Sequence, residues 1–431
     1  MRKLMLHSLR MGLRLRVVGF LLANFALLCG AAFGQQDYPY AVNQYPFLHA
    51  DQNQLTFPGA PDAYERLFKK FDQVLFSGRG QVQVVHIGGS HIQADMWSDR
   101  MRQRLQHFFP GTEATRGLLF PFTMARTNNP YNYHTEYTGQ WESCRNVQWN
   151  RACDLGLTGI SATTRDSSCR IKVFFRGADY PQYEFNRVRI FQDTDSTSYT
   201  ARVVNSGVSA SYAVDTALGF SAHRLGSFQT FVEIEIKKTA PSQNHFTLYG
   251  ISMESDDPGF VYSAMGVNGA ATKSYLRCSL FEQHLKAITP DLVIFSVGIN
   301  DANTTEFDSH LFEKNYDSLV VRVQRASPNA VVLFTTNNDT YYQKKYPNRN
   351  AEKVRASMLK LAKKHNAAVW DLYEVMGGLG SIKDWIAAGL ANSDKIHLLK
   401  PGYELVADLM FNALMQAYDQ HLKIVYQNNP K

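Results

Sequence analysis

Residues 82–108 read VQVVHIGGSHIQADMWSDRMRQRLQHF, and the order of residue types within them decides what kind of fold this is. Val82 to Ile87 is a mostly apolar run of strand length, Gly88-Gly89 is a turn, and Asp95 to Phe108 has helical periodicity. Ser90 stands where the strand stops and the helical pattern begins. A strand end gives rigidity and exposure, and a helix start offers backbone N–H groups to developing negative charge, so Ser90 is a candidate nucleophile. The segment alone also reads as a plain βα turn, and the rest of the chain has to decide between the two.

The same alternation surrounds it. Pro61 to Phe76 is helical with Tyr64, Leu67, Phe68, Phe71 and Leu75 on one face. Later, helical segments at Leu280–Ile288, Phe312–Arg325, Ala351–His365 and Tyr403–Tyr418 alternate with apolar strands at Leu292–Val297, Ala330–Thr335 and Ala367–Leu372. Continuously apolar strands between helices predict a parallel sheet covered on both faces, an α/β architecture. Between about Asn128 and Pro258 the pattern changes to short alternating runs, such as Arg170–Arg176, Arg187–Gln192, Tyr199–Val204 and Thr230–Lys237, separated by polar turns. That stretch predicts a β-sandwich inserted into a loop of the α/β domain. The expected organisation is a leader at residues 1–34, the first part of the α/β domain at 35–127, the insertion at 128–258 and the second part at 259–431.

The leader reading rests on five basic residues from Arg2 to Arg16, the apolar run Val17–Cys29 and the small residues Ala32 and Gly34 around Phe33. It predicts export, to the periplasm first, with secretion or the outer surface as alternatives. A lipoprotein would use Cys29, but bulky Leu28 precedes it. Without residues 1–34 the chain has 40 basic and 38 acidic side chains, a balance that calls for neither nucleic acid nor an anionic membrane. No later apolar stretch reaches transmembrane length, and a monomer is expected. Cys144, Cys153 and Cys169 lie close together, with Cys278 apart. In an oxidising compartment this predicts one disulfide among the first three, pairing open, and at least one buried free thiol.

Three further segments fall at strand ends. Val261 to Ala270 re-enters the α/β part and contains Gly269, placed to present an unhindered N–H. Leu292–Val297 runs into Gly298-Ile299-Asn300-Asp301. Asp394-Lys395-Ile396-His397 precedes the last helix and lets a carboxylate orient an imidazole three residues on. Each has a dull reading, as a helix cap, a loop glycine or a surface turn.

The order Ser, Gly, Asn, Asp-x-x-His at strand ends of a parallel sheet resembles the SGNH (GDSL-like) hydrolases. That resemblance implies a flavodoxin-like α/β fold with Ser90 as nucleophile, His397 as base and Asp394 orienting it. It also implies an oxyanion hole of the Ser90 and Gly269 N–H groups and the Asn300 amide, with no metal or other cofactor. Ala264–Ala270, Asp291–Asp301 and Met376-Gly377-Gly378 with Lys383-Asp384-Trp385 narrow the similarity to bacterial peptidoglycan O-acetylesterases. Those enzymes carry a β-sandwich like a carbohydrate-binding module at the place where the insertion falls here. The implied activity is removal of O-acetyl groups from a glycan, muramic acid of peptidoglycan first. The alternatives are an esterase or acetyltransferase for another polysaccharide, or a non-catalytic glycan-binding protein. One position departs: the family has Gly-Asp-Ser, and here Gly89 stands where its aspartate supports the serine loop.

His86 and His91 flank Ser90 but lack further ligands at zinc spacing, and a sequence neighbour of Ser90 is expected to point away from it. Tyr131, Tyr133, Tyr137, Trp141 and Trp149 could stack on sugars. In a β-sandwich the stronger expectation for them is core.

Overall fold

The computed structural model describes residues 45–176, 183–205 and 210–428. The expected leader lies outside the described residues. The central sheet has six strands: β1 (Leu55–Thr56), β2 (Gln81–Gly88), β3 (Gly259–Gly266), β4 (Leu292–Ser296), β5 (Val331–Thr335) and β6 (Ala368–Trp370), in the spatial order β1-β6-β5-β4-β2-β3. All neighbours are parallel except β1 with β6. The chain leaves β2 towards β3 on one side and later returns to place β4 on the other. This reversal opens a crevice at the carboxyl end of β2, where parallel sheets bind ligands.

The strands are buried nearly throughout, as their unbroken apolar runs require of a sheet covered on both faces. Helices α1 (Asp62–Ser77), α2 (Ser90–Gln93), α3 (Met96–His107), α4 (Phe281–Ile288), α5 (Ser309–Ala326), α6 (Asn350–His365) and α7 (Lys400–Asn428) follow in chain order. Helices α1, α3 and α7 pack together as one layer, and α4, α5 and α6 as the other. The apolar face read for α1 is buried, and Gly78 ends that helix in the left-handed conformation.

The stretch expected to be all-β is two antiparallel sheets. One contains Ala210–Asp215, Phe220–Gln229, Phe185–Gln192, Phe246–Glu254, Ile160–Thr164 and Glu142–Arg145. The other contains Tyr133–Tyr137, Ser168–Phe175, Phe231–Lys237 and Thr200–Val203. In the smaller sheet burial alternates residue by residue, with Ile171, Val173, Ile234 and Ile236 turned inward. The larger sheet is not confined to residues 128–258, because Gly117–Leu119 also pairs with Met253–Ile251. Its strand Phe246–Glu254 is buried along almost its whole length. Beyond the sandwich it meets α4, where His284 packs between Phe191 and Tyr249. Sandwich and α/β core belong to one continuous apolar cluster.

The disulfide joins Cys144 and Cys153, leaving Cys169 and Cys278 free and buried. Cys169 occupies an inward position of its strand, whereas Cys144 and Cys153 bracket a loop. Burial pushes both free thiols up to about 12, so neither is a reactive thiolate at neutral pH.

Candidate active site

Register brings the strand-end motifs together. Gly88 of β2 pairs with Gly266 of β3 on one side and Ser296 of β4 on the other, so three adjacent strands end at one level. Ser90, Gly269 and Asn300 lie two, three and four residues beyond those ends, and all three line one cleft of about 710 Å³ with His397. Helix α2 approaches the strand ends so closely that a Cβ on Gly88 would meet Ile92 Cγ1 at 2.2 Å. One on Gly266 would meet the Gln93 nitrogen at 2.0 Å.

Ser90 Oγ is 2.8 Å from His397 Nε2, and His397 Nδ1 is 2.7 Å from Asp394 Oδ2. The other carboxylate oxygen, Oδ1, accepts the backbone N–H groups of Ile396 and His397, each at 2.9 Å. The turn closes through Lys395 at φ +59°. Partial burial works against the charge of Asp394, but the hydrogen bonds from His397 and Ile396 outweigh it and hold the carboxyl below its ordinary range. The turn is pinned from outside by Asn338, whose amide donates to Ile396 O at 3.0 Å, and by Tyr341 N donating to Lys395 O. The arrangement supplies a hydroxyl, a base that can take its proton, and an acceptor fixing that base.

Asn300 donates one amide hydrogen to Ala270 O at 3.0 Å, which leaves the second for the cleft. Gly269 has φ +83°, a conformation glycine adopts without strain. Its loop is tied down on both sides. Asp301 accepts from Thr272 N and Oγ1, and Gln93 accepts from Asn268 N at 2.7 Å while donating to Asn128 O at 2.7 Å. Ser90 is the first residue of α2, so its N–H has no partner within that helix.

At Gly89 a Cβ would lie 3.2 Å from Asn300 Nδ2, so the space a side chain would use is next to the Asn300 amide. The serine loop is held instead by Tyr275, whose hydroxyl reaches Gly88 O at 2.7 Å and Met265 O at 3.0 Å.

His91 touches the site through the imidazole of His397. Its ring stacks on His397, with centroids 5.2 Å apart and planes at 29°, and its Nδ1 is 2.9 Å from Tyr403 Oη. Burial, with His397 beside it, pushes His91 down to about 3, so a neutral ring backs His397. His86 is buried between Tyr262 Oη and Ser296 Oγ, 2.8 and 2.6 Å away, and is a structural residue. Among the described residues no group of three or more His, Cys, Asp or Glu side chains is arranged to hold a metal ion. Of the five aromatics expected in the sandwich core, Tyr133 is fully buried and Trp141 partly so, but Tyr131, Tyr137 and Trp149 are exposed. Tyr131 lines the cleft.

The family model of the GDSL-like lipase/acylhydrolases matches residues 249–405, which include Gly269, Asn300, Asp394 and His397. No curated protein matches the sequence significantly. Among solved structures, a peptidoglycan O-acetylesterase superposes with a TM-score of 0.68 at 21% identity, over 85% of this chain and 99% of that one. An acetyl xylan esterase has 26% identity over 36% of this chain and 81% of its own, with a TM-score of 0.27. An acetylxylan esterase from Geobacillus stearothermophilus has 19% identity over 36% and 73%, with a TM-score of 0.29. Residues 249–405 thus match the GDSL-like lipase/acylhydrolases, a family of ester hydrolases, and the fold is similar to that of a peptidoglycan O-acetylesterase over 85% of this chain.

Proposed function

We propose that this protein hydrolyses O-acetyl esters on a glycan, with O-acetylated muramic acid of peptidoglycan as the substrate. The observation that carries the reading is the hydrogen-bonded line from Asp394 through His397 to Ser90, opening on a cleft far larger than an acetyl group needs. His397 Nε2 takes the Ser90 proton as Oγ bonds to the acetyl carbon. The N–H groups of Ser90 and Gly269 and the Asn300 amide meet the oxyanion. Collapse breaks the ester C–O bond, and His397 returns the proton to the departing sugar hydroxyl. Water, activated by the same imidazole, then releases acetate from Ser90. The similarity in fold to a peptidoglycan O-acetylesterase supports the choice of glycan.

The site of action is outside the cytoplasm, in the periplasm. The Cys144–Cys153 disulfide supports this, since such bonds persist in oxidising compartments. Among the described residues no helix is long and apolar enough to cross a membrane.

The test is acetate release by purified protein from O-acetylated peptidoglycan and, in parallel, from acetylated xylan. The expected result is release from peptidoglycan at a kcat/KM at least about tenfold above that for xylan. Equal or reversed preference would overturn the substrate assignment.

A further inference from the structure

Two consecutive residues of helix α2 take hold of the His397 imidazole in different ways. Ser90 Oγ meets its edge, 2.8 Å from Nε2, and the ring of His91 stacks on it with centroids 5.2 Å apart. Asp394 Oδ2 holds the other nitrogen, Nδ1, at 2.7 Å. The His397 side chain is 39% exposed where it lines the cleft, so its position depends on these contacts.

His91 is fixed in its own right. It is buried, its Nδ1 lies 2.9 Å from the Tyr403 hydroxyl, and the Tyr403 ring meets it edge-on with centroids 5.6 Å apart. Tyr403 stands in the first turn of α7, is itself buried, and its hydroxyl also hydrogen-bonds with the backbone of Leu398, one residue past His397. Burial and the nearby His397 push His91 down to about 3, so it stays neutral while His397 carries a proton. A neutral aromatic face attracts a cation.

This hold matters unequally along the reaction. During acylation the base is gripped at both nitrogens, by the Ser90 hydroxyl and by Asp394. Once Oγ is bonded to the acetyl carbon it has no proton to give, and the resting contact at Nε2 is lost, whereas the stack on His91 does not depend on it. In the second half a water oxygen bonds to the acetyl carbon as its proton passes to Nε2. The bond from that carbon to Oγ then breaks, and the proton returns to Oγ as acetate leaves. A misplacement of about 1 Å in such a step can cost on the order of 10²-fold.

We propose that His91 is a positioning residue for deacylation: its ring, stacked on His397 and anchored by Tyr403, keeps the base in line with the attacking water after Ser90 has been acetylated. The role rests on the serine mechanism proposed above.

The test follows acetyl-Ser90 by rapid quench and peptide mass during turnover of 4-nitrophenyl acetate in wild type, His91→Asn, His91→Gln and His91→Phe. Asn and Gln keep a polar group for Tyr403 but lose the aromatic face, and Phe keeps the face but loses the polar group. In the Asn and Gln variants decay of the acetyl-enzyme should slow about tenfold while its formation stays within about twofold of wild type, so acetyl-Ser90 accumulates. His91→Phe should keep decay within about threefold of wild type. Wild-type decay in both polar variants, equal slowing of formation and decay, or a Phe variant as slow as Asn would overturn the role. If the ester is turned over with no acetyl-Ser90 in wild type or any variant, the serine mechanism itself fails and the role falls with it.

Discussion

Each polar group around Ser90 has a second duty, and the cost of removing it depends on both. Asn300 is the clearest case, since one amide hydrogen holds Ala270 O while the other is left for the cleft, where the proposed oxyanion would form. Asn300→Ala should therefore lower kcat on 4-nitrophenyl acetate by about 10²–10³ with a smaller change in KM. An unchanged kcat would remove Asn300 from the oxyanion hole. Gly89 belongs to the same corner, 3.2 Å from the Asn300 amide at the place a Cβ would occupy. Ser90, Gly269 and Asn300 are legible in the sequence as distinctive types just past strand ends, whereas Asp394 and His397, expected at a strand end too, lie in a turn between two helices and are legible only by their spacing. The stack of His91 on His397 was not, because a ring contact between residues some three hundred positions apart leaves no local spacing to read.

The strands and helices do the work of convergence. Apolar runs and helical periods predict most α/β elements to within a few residues, the last helix excepted, which runs on from Tyr418 to Asn428, and parallel pairing places Gly88, Gly266 and Ser296 side by side. Two features escaped that reading, each for its own reason. Gly117–Leu119 is too short to carry a strand pattern, yet it joins the insertion's sheet. The buried group of Asp95, Arg102, Arg116 and Asn132 looks in sequence like ordinary surface polarity, because three of the four lie in or beside a charged helix and its loops. Only the fold shows that Asp95 pairs with both guanidiniums and that Arg102 also reaches Asp99, in a place where an unpaired buried charge would be costly. The disulfide was open in sequence for a simpler reason: alternation turns Cys169 inward, and that is visible only once the strand's facing is known.

For the molecule as a whole, burial makes folding depend on pH. His86, His91 and His284 are pushed down to about 3 and His223 to about 4 by burial, so the folded chain keeps them neutral. An unfolded histidine protonates below about 6.5. The stability these groups contribute is fully present above that pH and is lost as pH falls towards 3–4. Asp339 has the opposite sign: burial raises it to about 6, so its contribution declines as pH rises from about 4 to 6. A single-residue difference isolates the histidine effect. His284→Leu removes one titrating ring between Phe191 and Tyr249, so its thermal midpoint should drop less steeply than wild type from pH 7 to 5. The gap should close by about 1.4 kcal/mol per pH unit below 6.5 at most, and parallel profiles would contradict the assignment. The insertion is part of the same whole, sharing a core with the α/β domain and supplying a wall of the cleft. All of this converges on Ser90, and the most direct measurement is to quench the enzyme during turnover of an acetyl ester and map acetylation by peptide mass. The account predicts one acetyl group on the peptide carrying Ser90, absent in Ser90→Ala along with at least about 10⁴-fold of the activity. Acetate release by Ser90→Ala at a rate near wild type, or an acetyl group trapped on another residue, would contradict it.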